Sequence, residues 1–221
     1  MKRILVQAGH APPREPGFES GTGTTREIEL ALGIQQSLVA LLEKDARFTA
    51  VPVPGNIPDG VQVDAALFLH GDGSANQNAS GYCFGYPRHP ANERLASLLR
   101  EEFDKIPGHP PHRIDNYTAG LRYYYGYSRV ATAGPEVLVE HGFLTNPGER
   151  LWLFANMSKL AKAEYIAICR YFGLVPFDDA ANQKRKAALR AWILKQWREG
   201  KSWAWIKRTP NWREFIRRGG K

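Results

Sequence analysis

The 221-residue sequence contains no apolar run near the ~20 residues that a bilayer span requires. Its two cysteines, Cys83 and Cys169, allow one bridge at most, so no disulfide framework holds the fold. The N-terminus, MKRILVQAGHAPPRE, has only a short apolar stretch before Gly9 and His10. A secretory h-region takes about 7–15 such residues, and no signal peptide is expected. There is no compact metal signature such as HExxH, no nucleic-acid-binding motif, and no internal repeat. Order must therefore come from a hydrophobic core, and a composition 43% apolar and 24% charged supports one and excludes wholesale disorder.

What charge there is sits unevenly. From Ala180 onward there are 13 Lys and Arg against Glu199 and Glu214, a net of +11. The rest carries 17 positive and 20 negative residues, a net of −3. A near-neutral body over residues 1–175 and a basic tail over 180–221 are the expected domains.

In the body, Lys2–Ala8 suits a strand buried on both faces, running into Gly9-His10 and a loop rich in Pro, Gly and Thr up to Thr25. Leu30, Ile34, Leu38 and Leu41/Leu42 give helical spacing over Arg26–Lys44. Further strands are expected at Phe48–Val53, Val63–His70 and Glu136–Val139, and further helices at Asn92–Phe103 and Met157–Phe172, the latter closed by Gly173. The fold class is α/β: a mostly parallel or mixed twisted sheet sandwiched between helices, with a small basic Trp-rich helical region at the C-terminus.

Three residues able to bind metal or carry charge follow these strands directly: His10, His70 and Glu140. Strand ends in open α/β sheets deliver distant side chains to one crevice. Glu27 shares the inward face of Leu30 and Ile34, whereas Glu29 lies about 140° from Ile34 and should face solvent. Two histidines and an inward carboxylate have the makings of a His₂Glu zinc site with an open fourth position, Glu140 being the carboxylate that takes a proton from water. Each residue alone has a plainer role: loop hydrogen bonding for the histidines, and a favourable helix-N-terminal charge for Glu27.

The order of these motifs resembles the zinc-dependent N-acetylmuramoyl-L-alanine amidases of the type-3 family, which cut peptidoglycan. VQAGH at Val6–His10, TREIELALGIQQSL at Thr25–Leu38, LFLHGDGSAN at Leu67–Asn76 and VLVEHGFLTNP at Val137–Pro147 follow the family pattern over about Met1–Leu174. The loop before Glu27 departs from that pattern in length. HGDG and the following SGYCFGYP resemble the versions in phage lysins and actinobacterial hosts.

The resemblance implies one zinc ion on His10, Glu27 and His70, and cleavage of the amide between N-acetylmuramic acid and L-alanine with Glu140 as catalytic base. It implies an endolysin made in the host cytoplasm and acting at the wall, and a monomer is expected. Asp72, just beyond His70, is a candidate for orienting a ligand imidazole. Asn76, Asn146 and Arg122 are candidates for substrate contact, although the aromatic run Arg122–Tyr127 suits core packing equally well. His89, His109 and His112, among prolines, are expected to be solvated, and His141 to face away from Glu140. A zinc peptidase or deacetylase, or a wall- or nucleic-acid-binding protein without catalysis, are the alternatives.

In the tail, Lys184–Glu199 is helical by pattern and stops at Gly200. Ser202 and Thr209-Pro210 are expected to start two short helices, the second carrying Trp212, Phe215 and Ile216 before Gly219-Gly220. Five of six tryptophans lie in this region. The unit suits attachment to an anionic wall polymer or membrane surface, with nucleic acid the less favoured ligand.

Overall fold

Ile4, Leu5 and Val6 leave the first strand no polar face, and a strand of that kind is stable only inside a sheet with both faces covered. In the computed structural model β1 (Lys2–Ala8) is such a strand. The structure describes residues 1–12, 23–113, 115–177 and 179–217, without the side chains of 179–186 and 214–217. Loop residues 13–22, the side chains of Phe215 and Ile216, and the Gly219-Gly220 stop lie outside the described residues.

After β1 come α1 (Glu27–Lys44), β2 (Phe48–Val53), β3 (Val61–Gln62), β4 (Ala65–Asp72) and β5 (Cys83–Gly85). Next are α2 (Pro90–Phe103), α3 (Ala119–Arg122), α4 (Gly126–Arg129), β6 (Val130–Ala131), β7 (Glu136–Phe143) and α5 (Pro147–Tyr171). The main sheet runs β2-β1-β4-β7-β5; the first four strands are parallel, and β5 pairs antiparallel with β7 at one edge. β3 and β6 form a separate two-stranded ladder. The α/β class with a mixed sheet is as expected from the sequence.

The two faces are covered differently. α1 packs on β1, β2 and β4, α2 and α5 pack on β7, and α5 lies against both other helices. Leu30, Ile34, Leu38 and Leu42 of α1 are fully buried there, each contributing roughly 1.5–3 kcal/mol. Gln35, also buried, donates from Nε2 to the Val6 and Val53 carbonyls at 2.7 and 2.8 Å, tying α1 to two strands. The opposite face carries Leu5, Ala66, Phe68 and Leu138, covered by Ile57, Leu121 and the partly buried Tyr124, Tyr125 and Tyr127. Helices therefore do not sandwich the sheet evenly: one face has three long helices, the other an aromatic segment with two one-turn helices.

α5 begins ten residues before the helix expected at Met157. Asn146 accepts from the Gly148 and Glu149 amides, and Pro147 occupies the first helical position. At its other end Gly173 adopts φ 67°, and Leu174 N–H donates to the Cys169 carbonyl at 2.8 Å, as in a Schellman cap. β5, three residues inside a Gly- and Ser-rich stretch, carries no periodic signal of its own. Both cysteines are buried and free.

His109 overturns its expected solvation: it is buried, stacked on Trp152 with ring centroids 4.7 Å apart, and burial pushes its imidazole down to about 3. His112 is half-buried with Nδ1 2.8 Å from the Ser80 carbonyl, whereas His89 is exposed and caps α2.

Residues Pro176–Lys221 form a second compact unit containing α6 (Asp179–Arg198), α7 (Trp203–Arg208) and α8 (Pro210–Arg217). The turn that follows α6 is at Gly200, where φ is 77°. Ser202 Oγ accepts from the Trp205 amide, and Thr209 Oγ1 from that of Trp212, at 3.3 and 3.4 Å. Trp203 meets Trp197 and Trp212 edge-on at 6.2 and 5.3 Å. Trp197, Trp203 and Trp205 nevertheless remain exposed. No helix among the described residues is long and apolar enough to cross a membrane.

Side-chain alternation along β7 sends His141 into the helical layer, away from the face that carries Glu140. There His141 and Glu164 of α5 are fully buried, Nε2 lying 2.9 Å from Glu164 Oε1 and Nδ1 2.8 Å from the His70 carbonyl. The carbonyl fixes a proton on Nδ1, so one further proton must lie between Nε2 and the carboxyl. Glu164→Ala strands the imidazole and should cost about 3–5 kcal/mol, measured by denaturant unfolding. A loss below about 1 kcal/mol would show that the pair does not brace the strand end.

Candidate active site

Parallel pairing sets His70 of β4 directly beside Glu140 of β7, on the same face. β1 ends next to them, and Gly9 N–H donates to the Leu69 carbonyl at 2.8 Å, which places His10 against His70. The two imidazole centroids are 5.0 Å apart and nearly perpendicular. A Cβ on Gly9 would overlap the His70 ring, so only glycine allows this approach. Beyond Gly9 the chain turns with His10 at φ 57°, a left-handed conformation that costs a residue with a side chain roughly 1–2 kcal/mol. Such strain is tolerated where the surroundings fix it for a purpose.

Glu27 enters from the first turn of α1. It is 4% exposed, while Glu29 is exposed beside Arg26, as the helix phase requires. Glu27 Oε1 lies 3.0 Å from His70 Nδ1, 3.4 Å from His10 Nε2 and 3.2 Å from the Gly71 amide. Oε2 accepts from the Thr24 amide at 2.8 Å. Burial by itself would raise the Glu27 carboxyl, but His70, His10 and the Thr24 amide hold it below the ordinary carboxylate range. Burial likewise pushes His70 below the usual imidazole range, against the pull of Glu27. Both groups thus favour at neutral pH the forms that bind metal: a carboxylate and a neutral imidazole.

One ligand atom from each of His10, Glu27 and His70 lies within 4.8 Å of the others. A tetrahedral ion with bonds of about 2.0–2.1 Å sets its ligands roughly 3.3–3.4 Å apart, close to the two distances from Glu27. Two buried polar atoms here, His10 Nδ1 and Glu140 Oε2, have no hydrogen-bond partner among the described residues. The donor set of two nitrogens and one oxygen suits zinc, and the residues fit such an ion.

The cluster forms the floor of a cleft with two lobes, both bordered by His10, His70, Asp72 and Glu140. The polar lobe, about 490 Å³, is lined by the Gly71–Ala75 loop, Thr24 and Thr145. That loop is pinned where Thr145 Oγ1 accepts from the Ser74 amide at 2.9 Å, and further along Glu149 joins the Gly81 amide to that of Phe143 by accepting from both. The second lobe, about 320 Å³, is aromatic, with Tyr117, Tyr124 and Tyr125 on its wall.

Other candidates lie elsewhere or are otherwise engaged. Asp72 borders the cleft, but it accepts from the Gly73 amide and the Tyr117 hydroxyl and bonds neither ligand-type imidazole, contrary to the orienting role expected of it. Asn146 caps α5 and donates to the Ala79 carbonyl, and Asn76 Oδ1 accepts from the Asn78 amide in its own loop. Arg122 donates to the Asn116 carbonyl and lies outside both lobes. The tyrosine run is mostly packing, yet Tyr124 places its hydroxyl 3.2 Å from His70 Nε2, and Gln7 lies behind it. The available signal was Gln7 itself, one polar side chain within a strand otherwise apolar from Ile4 to Ala8.

A parallel sheet whose carboxyl edge gathers a ligand-type trio and a carboxyl with one oxygen unpartnered among the described residues, around an open cleft, is the arrangement of a hydrolase. Residues 4–170 match the model of a family described as N-acetylmuramoyl-L-alanine amidase, and the chain belongs to that family. It is accordingly an amidase whose substrate is peptidoglycan. No curated protein matches the chain.

Among solved structures, the catalytic domain of CwlV, an N-acetylmuramoyl-L-alanine amidase from Bacillus (Paenibacillus) polymyxa var. colistinus, is 18% identical with a TM-score of 0.61, covering 79% of this chain and 100% of that one. The CwlD amidase of Clostridioides difficile, solved with the GerS lipoprotein, is 20% identical at 0.57, covering 78% and 99%. An amidase from Neisseria meningitidis is 21% identical at 0.54, covering 80% and 98%. At these identities the likeness is one of fold.

Burial, then the charges of Asp72 and Glu27, hold the Glu140 carboxyl well above its ordinary range. In the unfolded chain it titrates near about 4.3. Between that pH and its raised native value the folded state binds the extra proton, so Glu140 lowers stability as pH rises. Metal-free Glu140→Gln should therefore unfold at higher urea than the parent at pH 7, with the gap closing below about pH 4. Equal midpoints at pH 7 would contradict this.

Proposed function

We propose that the chain is a zinc-dependent endolysin of a phage, made in the host cytoplasm and cutting the amide between the lactyl group of N-acetylmuramic acid and the L-alanine of the stem peptide. The observation that carries the zinc reading is the convergence of His10, Glu27 and His70 on one point beside the partnerless oxygen of Glu140. The endolysin reading draws support from the HGDG and SGYCFGYP segments, which resemble phage lysins.

His10, Glu27 and His70 would hold the ion. When bound, zinc supplies Lewis acidity and an activated water at near-neutral pH. Glu140 receives the proton of the attacking water and returns it to the departing L-alanine nitrogen, a role worth about 10²–10⁴ in rate. Its raised proton affinity suits the second half of that task, because an amine leaves an amide only once it is protonated. The cleft gives the amide two exits from the floor, one polar and one aromatic, so chain can extend to either side of the scissile bond.

We assign the second unit to attachment at an anionic wall polymer or membrane surface. The net +11 from Ala180 onward and the exposed Trp197, Trp203 and Trp205 support this. Each Lys or Arg near an anionic membrane surface contributes about 1 kcal/mol.

Chelated protein should lose activity and regain it with zinc, releasing stem peptides with a free N-terminal L-alanine, identified by mass spectrometry. His70→Ala should lower zinc affinity at least about tenfold, whereas Glu140→Gln should keep zinc and lose about 10²–10⁴ in rate. Unchanged zinc affinity in His70→Ala would remove this ligand set. Truncation after Val175 should spare soluble muropeptides and impair action on intact walls, with the advantage of the full chain shrinking at 1 M salt, where screening falls to ~3 Å. Equal losses on both substrates would refute the attachment role.

A further inference from the structure

Behind His70, on the side away from Glu27, the partners of each hydrogen bond set its direction. Gln7 Nε2 lies 2.7 Å from the Gly55 carbonyl, a group that can only accept, so the amide nitrogen must face it. That turns Gln7 Oε1 toward Tyr124, whose hydroxyl is 2.7 Å away and therefore donates its one proton to Gln7. Only lone pairs of Tyr124 are left to face His70 Nε2 at 3.2 Å. Nε2 must then carry a proton. For a neutral imidazole this leaves Nδ1 bare, and Nδ1 is the atom 3.0 Å from the Glu27 carboxylate. Two acceptors facing each other at that distance repel unless a cation lies against both.

Tyr125 braces the same amide, accepting from Gln7 Nε2 at 3.0 Å and donating to the Gly55 carbonyl. Gln7 is wholly buried, so its amide does not gain by turning to water. Gly55 N–H in turn donates to the Ala11 carbonyl at 2.8 Å, which ties the start of the relay to the turn that carries His10.

We infer that Tyr124 is a positioning residue: with Gln7 it fixes His70 in the Nε2–H tautomer and presents Nδ1 to the metal. The inference rests on the proposed zinc site and adds which nitrogen binds and what selects it. Outer hydrogen bonds of this type, when removed, typically cost 10–100-fold in metal affinity.

Tyr124→Phe keeps the ring, which packs against Phe68, and removes the hydroxyl. Tyr127→Phe is the control, because its hydroxyl donates to the Leu121 carbonyl at 2.8 Å and does not reach the site. Zinc affinity is measured by chelator competition, metal-free stability by urea unfolding, and the His70 tautomer by ¹⁵N NMR of the zinc-loaded full chain. The expected result is Nε2–H with a metallated Nδ1 in the parent, a ~10–100-fold loss of affinity in Tyr124→Phe, and unchanged affinity in Tyr127→Phe. Parent protein that binds zinc through His70 Nε2 overturns the inference and leaves the zinc site standing, as does unchanged affinity in Tyr124→Phe. An equal loss in both variants reduces Tyr124 to a packing residue. Parent protein that binds no zinc overturns the site reading itself.

Discussion

A single buried carboxylate oxygen, Glu27 Oε1, faces two imidazole nitrogens and a backbone amide, and the rest of the body is arranged so that this contact forms. Burying an anion is expensive unless it is paired, and among the described residues no Lys or Arg is hydrogen-bonded or ion-paired to Glu27. Its partners come from β1, β4 and the first turn of α1, three segments separated in sequence and joined only by the sheet. Gln35 anchors α1 to β1 and β2 by side-chain bonds, so the position of the Glu27 end follows from the same helix–sheet contact.

The unequal covering of the sheet divides the work. The helical face is dry and supplies stability through Leu30, Ile34, Leu38 and the buried His141–Glu164 pair. The other face supplies chemistry: His70 and Glu140 point there, and short tyrosine-bearing helices leave space for a cleft. Alternation along one strand thus makes neighbours of opposite purpose. Glu140 opens to the cleft, whereas His141 braces the backbone carbonyl of His70 from behind. The open edge keeps its costs local: a left-handed His10 and a carboxyl whose proton affinity burial raises above the ordinary range.

Much of this was legible in residue order, and for identifiable reasons. β1 and β2 coincide with their expected spans, and β4 and β7 start or end within a few residues of theirs, because buried parallel strands are continuous apolar runs. Glu27 was separable from Glu29 by helix phase alone. Legibility failed where a residue's partner is distant in sequence. The burial of His109 depends on Trp152, the capping task of Asn146 looks like any Asn-Pro, and β5 exists only because β7 is there to pair with it. Asp72 appeared suited to orient an imidazole by proximity in sequence, yet Tyr124, more than 50 positions from His70, occupies that place. Hydrogen-bond direction, unlike hydrophobic period, leaves no trace in spacing.

The most direct measurement is X-ray absorption at the zinc edge on the full chain loaded with one equivalent of zinc. The account requires a single four-coordinate ion with two imidazole nitrogens and one carboxylate oxygen from the protein, at about 2.0–2.1 Å, and loss of one imidazole from the spectrum of His70→Ala. A shell containing sulfur, a shell without imidazole, or a spectrum indifferent to His70 would contradict it.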